Sequence, residues 1–286
     1  MFLHWSWFVV ALIEIQDRAA RYTGLTWNVL EYLALFLIVL MHEFGHALAC
    51  RQVGGKADQI VLWPLGGVAY VAPPQRPGAT LWSIAAGPLV NVALIPVLTI
   101  LVVLTGGFHF RQPLSDAHQL IQSVWMVNLV LLLFNLLPVY PLDGGQILRS
   151  VLWFMIGRAR SLMVATMVGF AGVILLVGLA LLVRSFWIGI MAVFILLNCW
   201  RGLIQARLLA KAARMPRRDG FACPVCRERP VLGRFWMCPR CRAPFDTFET
   251  QATCPGCGTS FSETQCLDCG EARPFADWAD PIGSRV

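Results

Sequence analysis

Charge is scarce in this sequence. Of its 286 residues, 14% are Asp, Glu, Lys or Arg and 57% are hydrophobic, whereas soluble domains carry about 25% charged residues. So little charge cannot coat a water-exposed globule, which excludes an ordinary soluble protein and implies a membrane one. Cysteine is almost missing from residues 1–200, where only Cys50 and Cys199 occur, both in apolar surroundings that suit small core residues. The opening stretch MFLHWSWFVVALIEIQ is apolar but lacks the basic flank and small-residue cleavage site of a removable signal peptide.

The composition changes at about residue 201. Before it lie long apolar runs; after it the chain is polar, basic and rich in cysteine. A spanning helix needs about 20 mostly apolar residues. Six stretches qualify, near 2–16, 27–49, 80–104, 120–140, 162–183 and 186–204, the first being the shortest. Residues 1–204 therefore read as a transmembrane domain, 205–220 as a basic juxtamembrane linker and 221–286 as a cytosolic cysteine-rich domain. With both termini in the cytosol, that side carries Arg51, Lys56, Arg76, Arg149, Arg158, Arg160 and the basic residues from Arg201 to Arg218, against Arg18, Arg21, Arg111 and Arg184 opposite. An integral protein of the plasma membrane is expected, and the net charge of +7 follows this topology rather than nucleic-acid binding. Between the second and third spans, QIVLWPLGGVAYVAPP is rich in β-branched and aromatic residues around Gly66-Gly67. It predicts a small β-hairpin at the membrane surface, a plain interfacial loop being the alternative. The expected fold class is an all-α polytopic membrane protein of about six transmembrane helices, with a β-hairpin between helices two and three and a small four-cysteine zinc-ribbon tail.

One motif carries chemistry. His42-Glu43-Phe44-Gly45-His46 is an H-E-x-x-H pattern, and with five His in the chain chance would supply about 0.002 of them. Two residues four apart on a helix differ by about 40° of rotation and 6 Å of rise, so both imidazoles reach one Zn²⁺. Glu43 stands beside the first ligand, where an attacking water would sit, as the natural general base. The motif lies in the apolar run LEYLALFLIVLMHEFGHALAC, where unpaired ionisable groups are costly and functional by default. His42 follows Trp27 by enough residues to lie about 22 Å into a hydrocarbon core about 30 Å thick, near the cytosolic side and its water. Catalytic zinc takes three protein ligands, and the best third ligand is Asp143, in the run from Asn135 to Gly145. There Pro138 and Pro141 break the fourth helix, and broken backbone at membrane depth must face protein or a cavity.

HEFGH at 42–46, Leu-Trp-Pro-Leu-Gly-Gly at 62–67, Gly87-Pro88-Leu89-Val90-Asn91 and NLLPVYPLDGG at 135–145 occur in this order. The chain resembles the site-2 protease family of intramembrane zinc metalloproteases, most of all the sporulation-type members with a C-terminal cytosolic domain. The resemblance covers most of residues 25–205. It implies one catalytic zinc held by His42, His46 and Asp143, with Glu43 activating water. It also implies that Asn91 and Asn135 position substrate or stabilise the oxyanion, interhelical hydrogen bonding being the other reading of both. The implied substrate is a single-pass membrane protein cut in or near its transmembrane segment, in regulated intramembrane proteolysis. No stretch of this sequence reads as the PDZ or CBS domain that many members carry.

The other eight cysteines form four Cys-x-x-Cys pairs: Cys223/Cys226, Cys238/Cys241, Cys254/Cys257 and Cys266/Cys269. Two such pairs make one closed four-thiolate zinc site, so two structural zinc ions are expected, in a reducing compartment; disulfides are the alternative. Sequential pairing resembles a double zinc ribbon, and pairing first with third and second with fourth is the other possibility. The tail suits a cytosolic protein regulator better than nucleic acid, despite its Arg residues beside Phe235 and Trp236, and lipid contacts the rest. His4, His109 and His118 read as surface residues, and Glu14 and Glu31 as helix-end groups in touch with interface water. A catalytically idle adaptor working through its ribbons is the competing function, although Glu43 would then have no use. A metal transporter would need ionisable groups threading several helices.

Overall fold

The computed structural model describes residues 21–57, 71–109, 115–269 and 271–278 in full, and the backbone of Phe2–Leu3, 58–63 and 66–70. The chain divides into two units, 1–204 and 205–286. The first contains a small sheet and six helices among the described residues. Strand β1 (Phe2–Leu3) pairs in parallel with β2 (Lys56–Trp63), which pairs antiparallel with β3 (Gly66–Ala72). Helix α1 (Leu25–Gln52) precedes β2, and α2 (Pro77–Leu104), α3 (Asp116–Asn135), α4 (Asp143–Ile156), α5 (Arg158–Val183) and α6 (Phe186–Ala213) follow β3. All but α4 are long and apolar enough to cross a membrane, and α1 is the most enclosed of those five.

Local chemistry explains the helix ends. Gly54 takes a φ of +81°, which stops α1 and turns the chain into β2. Pro77 opens α2, where its missing N–H costs nothing. The Ser115 hydroxyl caps α3 by accepting from the His118 backbone N–H, with Asp116 in the first turn. α3 stops at Asn135, short of the expected residue 140, because the residue before Pro138 is barred from continuing a helix.

Side-chain pairs fix how the first three helices lie. α1 and α2 are antiparallel, since His46 meets Ser83 and His42 meets Asn91. α2 and α3 are antiparallel as well, through Asn91 with Asn128 and Thr99 with Trp125. α1 and α3 are then parallel, in near-constant register: Thr23 reaches Asp116, Glu31 reaches Ser123 and His42 reaches Asn135, offsets of 93, 92 and 93 residues. Hydrophobic side chains left exposed on the spans, such as Ile100, Leu104, Leu175 and Leu182, form the lipid-facing surface.

Several expectations need correction. Phe2–Leu3 are strand, not the start of a helix, and the rest of the predicted first span, through residue 16, lies outside the described residues. The predicted hairpin is present, with Gly66 and Gly67 at the start of β3, paired with Trp63 and Leu62. Residues 143–156, read as part of a loop, form α4, whose apolar face packs while its length is too short to span. Glu31 and His118 are buried, not at the surface. Glu31 pairs with Arg21 and accepts from Ser123, while His118 lies against Thr105. The parallel register of α1 and α3 encloses the first, and neither contact leaves a periodic trace in the sequence. Finally, α6 continues as helix to Ala213, into the stretch read as a linker.

The second unit is built on short pieces. β4 (Trp236–Met237) pairs with β5 (Pro244–Phe245), and β6 (Glu263–Gln265) with β7 (Ala272–Pro274), followed by a 3-10 turn at Phe275–Trp278. Phe221, Trp236, Phe248, Phe275 and Trp278 pack together, with Phe248 centred 5.0 Å from both Phe221 and Trp278. The Ala222 N–H donates to the Trp278 carbonyl at 2.9 Å, which brings the two ends of the unit together.

Candidate active site and zinc clusters

His42 and His46 project from one face of α1 onto α2. The Nδ1–H of His46 donates to the Ser83 backbone carbonyl at 2.9 Å, and that of His42 to Asn91 Oδ1 at 2.6 Å. Ser83, Gly87 and Asn91 are four residues apart in turn, so they stack on one face of α2. Gly87 lies between the two acceptors. A Cβ there would come within 2.3 Å of His46 Nε2 and 2.8 Å of His42 Nε2, so both rings rest on bare backbone. Gly45 opposite is as tight, since its Cβ would meet the Ala86 carbonyl at 2.8 Å. The Gly-Pro-Leu-Val-Asn stretch therefore supplies space first and a hydrogen-bond acceptor one turn later.

Asp143 arrives from the other side. Leaving α3, the chain turns through 136–142 with a cis Tyr140–Pro141 peptide and starts α4 at Asp143. Gly144 and Gly145 make this turn possible, because a Cβ would lie 2.3 Å from the Leu136 carbonyl oxygen or 2.4 Å from the Tyr140 nitrogen. Gln146 fastens it by donating to the Pro141 carbonyl at 2.9 Å. Tyr140 and Val139 pack against α5 and α6, and the Cys199 thiol donates to the Tyr140 carbonyl at 3.1 Å. Asp143 Oδ2 then lies 3.1 Å from His42 Nε2 and 3.4 Å from His46 Nε2, and the two Nε2 atoms are 3.1 Å apart.

These distances fit a metal. Each Nδ1 faces an oxygen that can only accept, so each ring in its neutral form presents a lone pair at Nε2. Two lone pairs and a carboxylate oxygen this close repel one another unless a cation lies among them. A tetrahedral zinc with bonds of about 2.0–2.1 Å sets its ligand atoms about 3.3–3.4 Å apart. Glu43 is buried next to His42 on the same helix. Asn135, the last residue of α3, brings its amide nitrogen to 3.5 Å from His42 Nε2. Asn91, by contrast, sits on the far side of the His42 ring. Its oxygen accepts from His42 and its nitrogen donates to Asn128 at 2.8 Å, the interhelical hydrogen bonding that is the other reading of this residue. Asn128 was not anticipated. One signal for it exists in the sequence: it precedes Asn135 by two helical turns on the same face, a buried amide in an apolar run.

In the second unit the eight cysteines gather in two clusters, Cys223, Cys226, Cys266 and Cys269, and Cys238, Cys241, Cys254 and Cys257. Sulfur–sulfur distances between paired knuckles are 3.8 and 3.7 Å in the first and 3.7 and 3.5 Å in the second. Four thiolates on one zinc at about 2.3 Å lie about 3.8 Å apart, and all ten cysteines are free thiols, not disulfides. The pairing is neither of those anticipated. The first knuckle joins the fourth and the second joins the third, so one cluster is nested inside the chain that closes the other. The aromatic packing of Phe221 with Phe275 and Trp278 draws the outer knuckles together, and that contact is invisible to cysteine spacing.

Comparison with known proteins agrees with this geometry. The chain is 33% identical over 174 residues to a zinc metalloprotease of Methanocaldococcus jannaschii, covering 60% of this chain and 49% of that protein. It is 34% identical over 127 residues to stage IV sporulation protein FB of Bacillus subtilis, covering 43% of this chain and 41% of that one. The chain thus spans about half the length or less of these relatives. A solved structure of the site-2 protease from Methanocaldococcus jannaschii aligns with a TM-score of 0.50 and 27% identity, over 70% of this chain and 89% of that one. The model of peptidase family M50 matches residues 31–179, more than half of the chain and all of the His–His–Asp cluster, and the chain therefore belongs to that family, the site-2 protease family of zinc metalloproteases.

Proposed function

We propose that this protein is an intramembrane zinc endopeptidase that cuts a single-pass membrane protein in or near its transmembrane segment. The observation that carries the reading is the convergence of two bare imidazole nitrogens and one carboxylate oxygen within 3.4 Å, with both Nδ1 protons tied off. His42, His46 and Asp143 would hold the zinc. When bound, zinc would supply a Lewis acid for the scissile carbonyl and for water. Glu43 takes the proton of the attacking water and passes it to the leaving amide nitrogen. Asn135 aims its amide N–H groups at the oxygen on which negative charge develops.

Substrate must reach this site as extended chain, since a helix hides its carbonyls in its own hydrogen bonds. β1 covers the outer edge of β2, and among the described residues β3 pairs only with β2. A substrate strand would therefore add along β3, whose far end leads into α2 and the histidine-bearing interface. The tail would hold two structural zinc ions in the cytosol, where thiolates persist, and present a surface to a protein regulator. The Lys and Arg distribution supports both termini in the cytosol, and we place the protein in the plasma membrane with lipid around its spans.

The test compares membrane proteomes of cells expressing wild type and Glu43→Gln at equal levels. A single-pass protein that stays uncut with the variant, with cleavage reduced about 10²–10⁴-fold, supports the reading and names the substrate. Identical proteomes, combined with a phenotype that follows deletion of the tail but not Glu43→Gln, would replace it with an adaptor function.

A further inference from the structure

Behind His42 lies a second amide that the proposed chemistry has not used. Asn91 and Asn128 are both fully buried and clasp each other twice: Asn91 Nδ2 donates to Asn128 Oδ1 at 2.8 Å, and Asn128 Nδ2 donates to the Asn91 backbone carbonyl at 3.0 Å. His42 Nδ1 meets Asn91 Oδ1 at 2.6 Å. One file of hydrogen bonds thus runs from α3 through α2 to α1.

The chemistry of a primary amide makes this file consequential. An Asn side chain can turn over, exchanging its acceptor oxygen for its donor nitrogen. If Asn91 turned over, its NH₂ would face His42 Nδ1. That nitrogen would then have to accept, and the imidazole proton would move to Nε2, the atom that faces His46 and Asp143. A protonated Nε2 cannot ligate a metal. His42 cannot resist this alone, because either tautomer satisfies a turned amide. Asn128 decides it. Its own orientation is fixed by donation to a backbone carbonyl, which cannot turn over, so its Oδ1 must face Asn91 and must receive a donor. Asn91 is thereby forced to aim its nitrogen at Asn128 and its oxygen at His42. His46 needs no such device, because its Nδ1 partner is the Ser83 backbone carbonyl.

We infer that Asn128 is a positioning residue, two hydrogen bonds removed from the metal, that sets the tautomer of His42 by fixing the orientation of Asn91. This rests on the zinc reading of the His42–His46–Asp143 cluster, although the tautomer itself can be observed without metal. It makes the two histidines unequal: His46 is set by backbone, His42 by a side-chain clasp that a single substitution opens.

The test uses the full chain in detergent with ¹⁵N-labelled histidine. Asn128→Leu keeps the branched heavy-atom shape and removes both bonds, and Asn128→Asp keeps the acceptor that Asn91 requires. In metal-free wild type, His42 should show one slowly exchanging Nδ1–H. In Asn128→Leu that signal should split between tautomers and exchange faster while His46 stays unchanged, and zinc affinity of the membrane cluster should fall about 10–100-fold. Competition with a graded chelator reads that affinity, with the thiolate clusters as internal reference. Asn128→Asp should keep the wild-type tautomer. If Asn128 serves only to pack α2 on α3, the order reverses, with Leu tolerated and a buried Asp disruptive; that result, or an unchanged His42 signal in Asn128→Leu, overturns the inference. Loss of the His46 Nδ1–H as well marks an unfolded variant, and Asn128→Ser then takes its place with the same expected split. If the tautomers behave as stated but His42→Ala releases no zinc, the clasp stands and the metal reading fails.

Discussion

At the residue scale, the site depends on what is absent as much as on what is present. Gly87 holds nothing between two imidazoles and a helix backbone. Gly87→Ala places a methyl 2.3 Å from His46 Nε2, so one ring must leave its acceptor. The expected outcome is a folded protein that retains thiolate-bound zinc but loses the membrane-embedded ion, read as zinc per chain before and after His42→Ala in the same background. Asn135 makes the opposite kind of contribution. Its amide approaches the metal edge without completing the ligand set, so Asn135→Ala should keep the zinc and substrate affinity yet slow cleavage about 10²–10³-fold, the cost of one oxyanion donor. Initial rates over a range of concentrations, on the substrate identified through Glu43→Gln, separate these quantities. A rise in KM at unchanged kcat would give Asn135 to substrate binding instead.

At the element scale, the carboxylate of the His–His–Asp cluster is placed by helices that contribute no residue to that cluster. Asp143 is where it is because the turn at 136–142 is pressed onto α5 and α6 by Val139 and Tyr140. Gly169 and Gly202 provide the seats for Tyr140: a Cβ at Gly169 would lie 3.0 Å from the Tyr140 carbonyl, and one at Gly202 would lie 2.9 Å from its ring. Gly202→Val should overpack this contact by about 1–3 kcal/mol, lift the turn and lower zinc occupancy and cleavage together. Gly189→Val on the same helix, where a Cβ meets nothing, is the matched control and should leave both unchanged. Equal effects of the two would mean that the α6 contact does not reach Asp143. The parallel register of α1 and α3 belongs to this scale as well. Glu31 with Ser123 and His42 with Asn135 are rungs of one interface, so the helix that supplies the histidines and the helix that supplies the amide are fixed to each other at two heights.

At the scale of the whole chain, the tail obeys rules different from those of the membrane unit, because it has too few apolar residues to hold itself together without metal. Nesting makes the two four-cysteine clusters unequal. The inner one closes only the segment between Cys238 and Cys257, whereas the outer one must close the unit from Cys223 to Cys269. Cys269→Ala should therefore release one zinc and leave the inner ribbon folded, and Cys254→Ala should disturb both clusters. Zinc counting and hydrogen exchange over 236–261 distinguish this from sequential pairing, in which Cys269 and Cys254 would fail together. Asp246 adds a charge-based element. Burial pushes its carboxyl upward in pKa, but the N–H groups of Gly233 and Phe248 and the Arg218 guanidinium at 2.8 Å outweigh this and hold it below the usual carboxylate range. A lowered folded pKa gives stability that is complete above the unfolded value of about 3.9 and is lost as pH falls through the folded one. Asp246→Asn should therefore cost about 1–3 kcal/mol, by an amount constant from about pH 5 to 8, as measured by denaturant unfolding of the tail within the full chain.

The sequence by itself determined what is local. Two imidazoles four residues apart on a helix can reach one metal by helical geometry alone, each Cys-x-x-Cys pair forms a knuckle within its own turn, and the five longest apolar runs are helices long enough to span. Asp143 was legible because a carboxylate at membrane depth is costly unless a cation meets it, and the prolines and glycines beside it break the helix there. What only the tertiary structure decided is what meets across elements. These are the acceptors behind the two histidines, the hydrogen bonds of Asn91 to His42 and Asn128, the burial of Glu31 and His118, the fold of α4, and the nested pairing of the knuckles. Each is a contact between residues far apart in the chain, set by which helix faces pack and which aromatic residues close the tail. Periodicity and spacing record the face a residue occupies, but not the partner that packing brings to it.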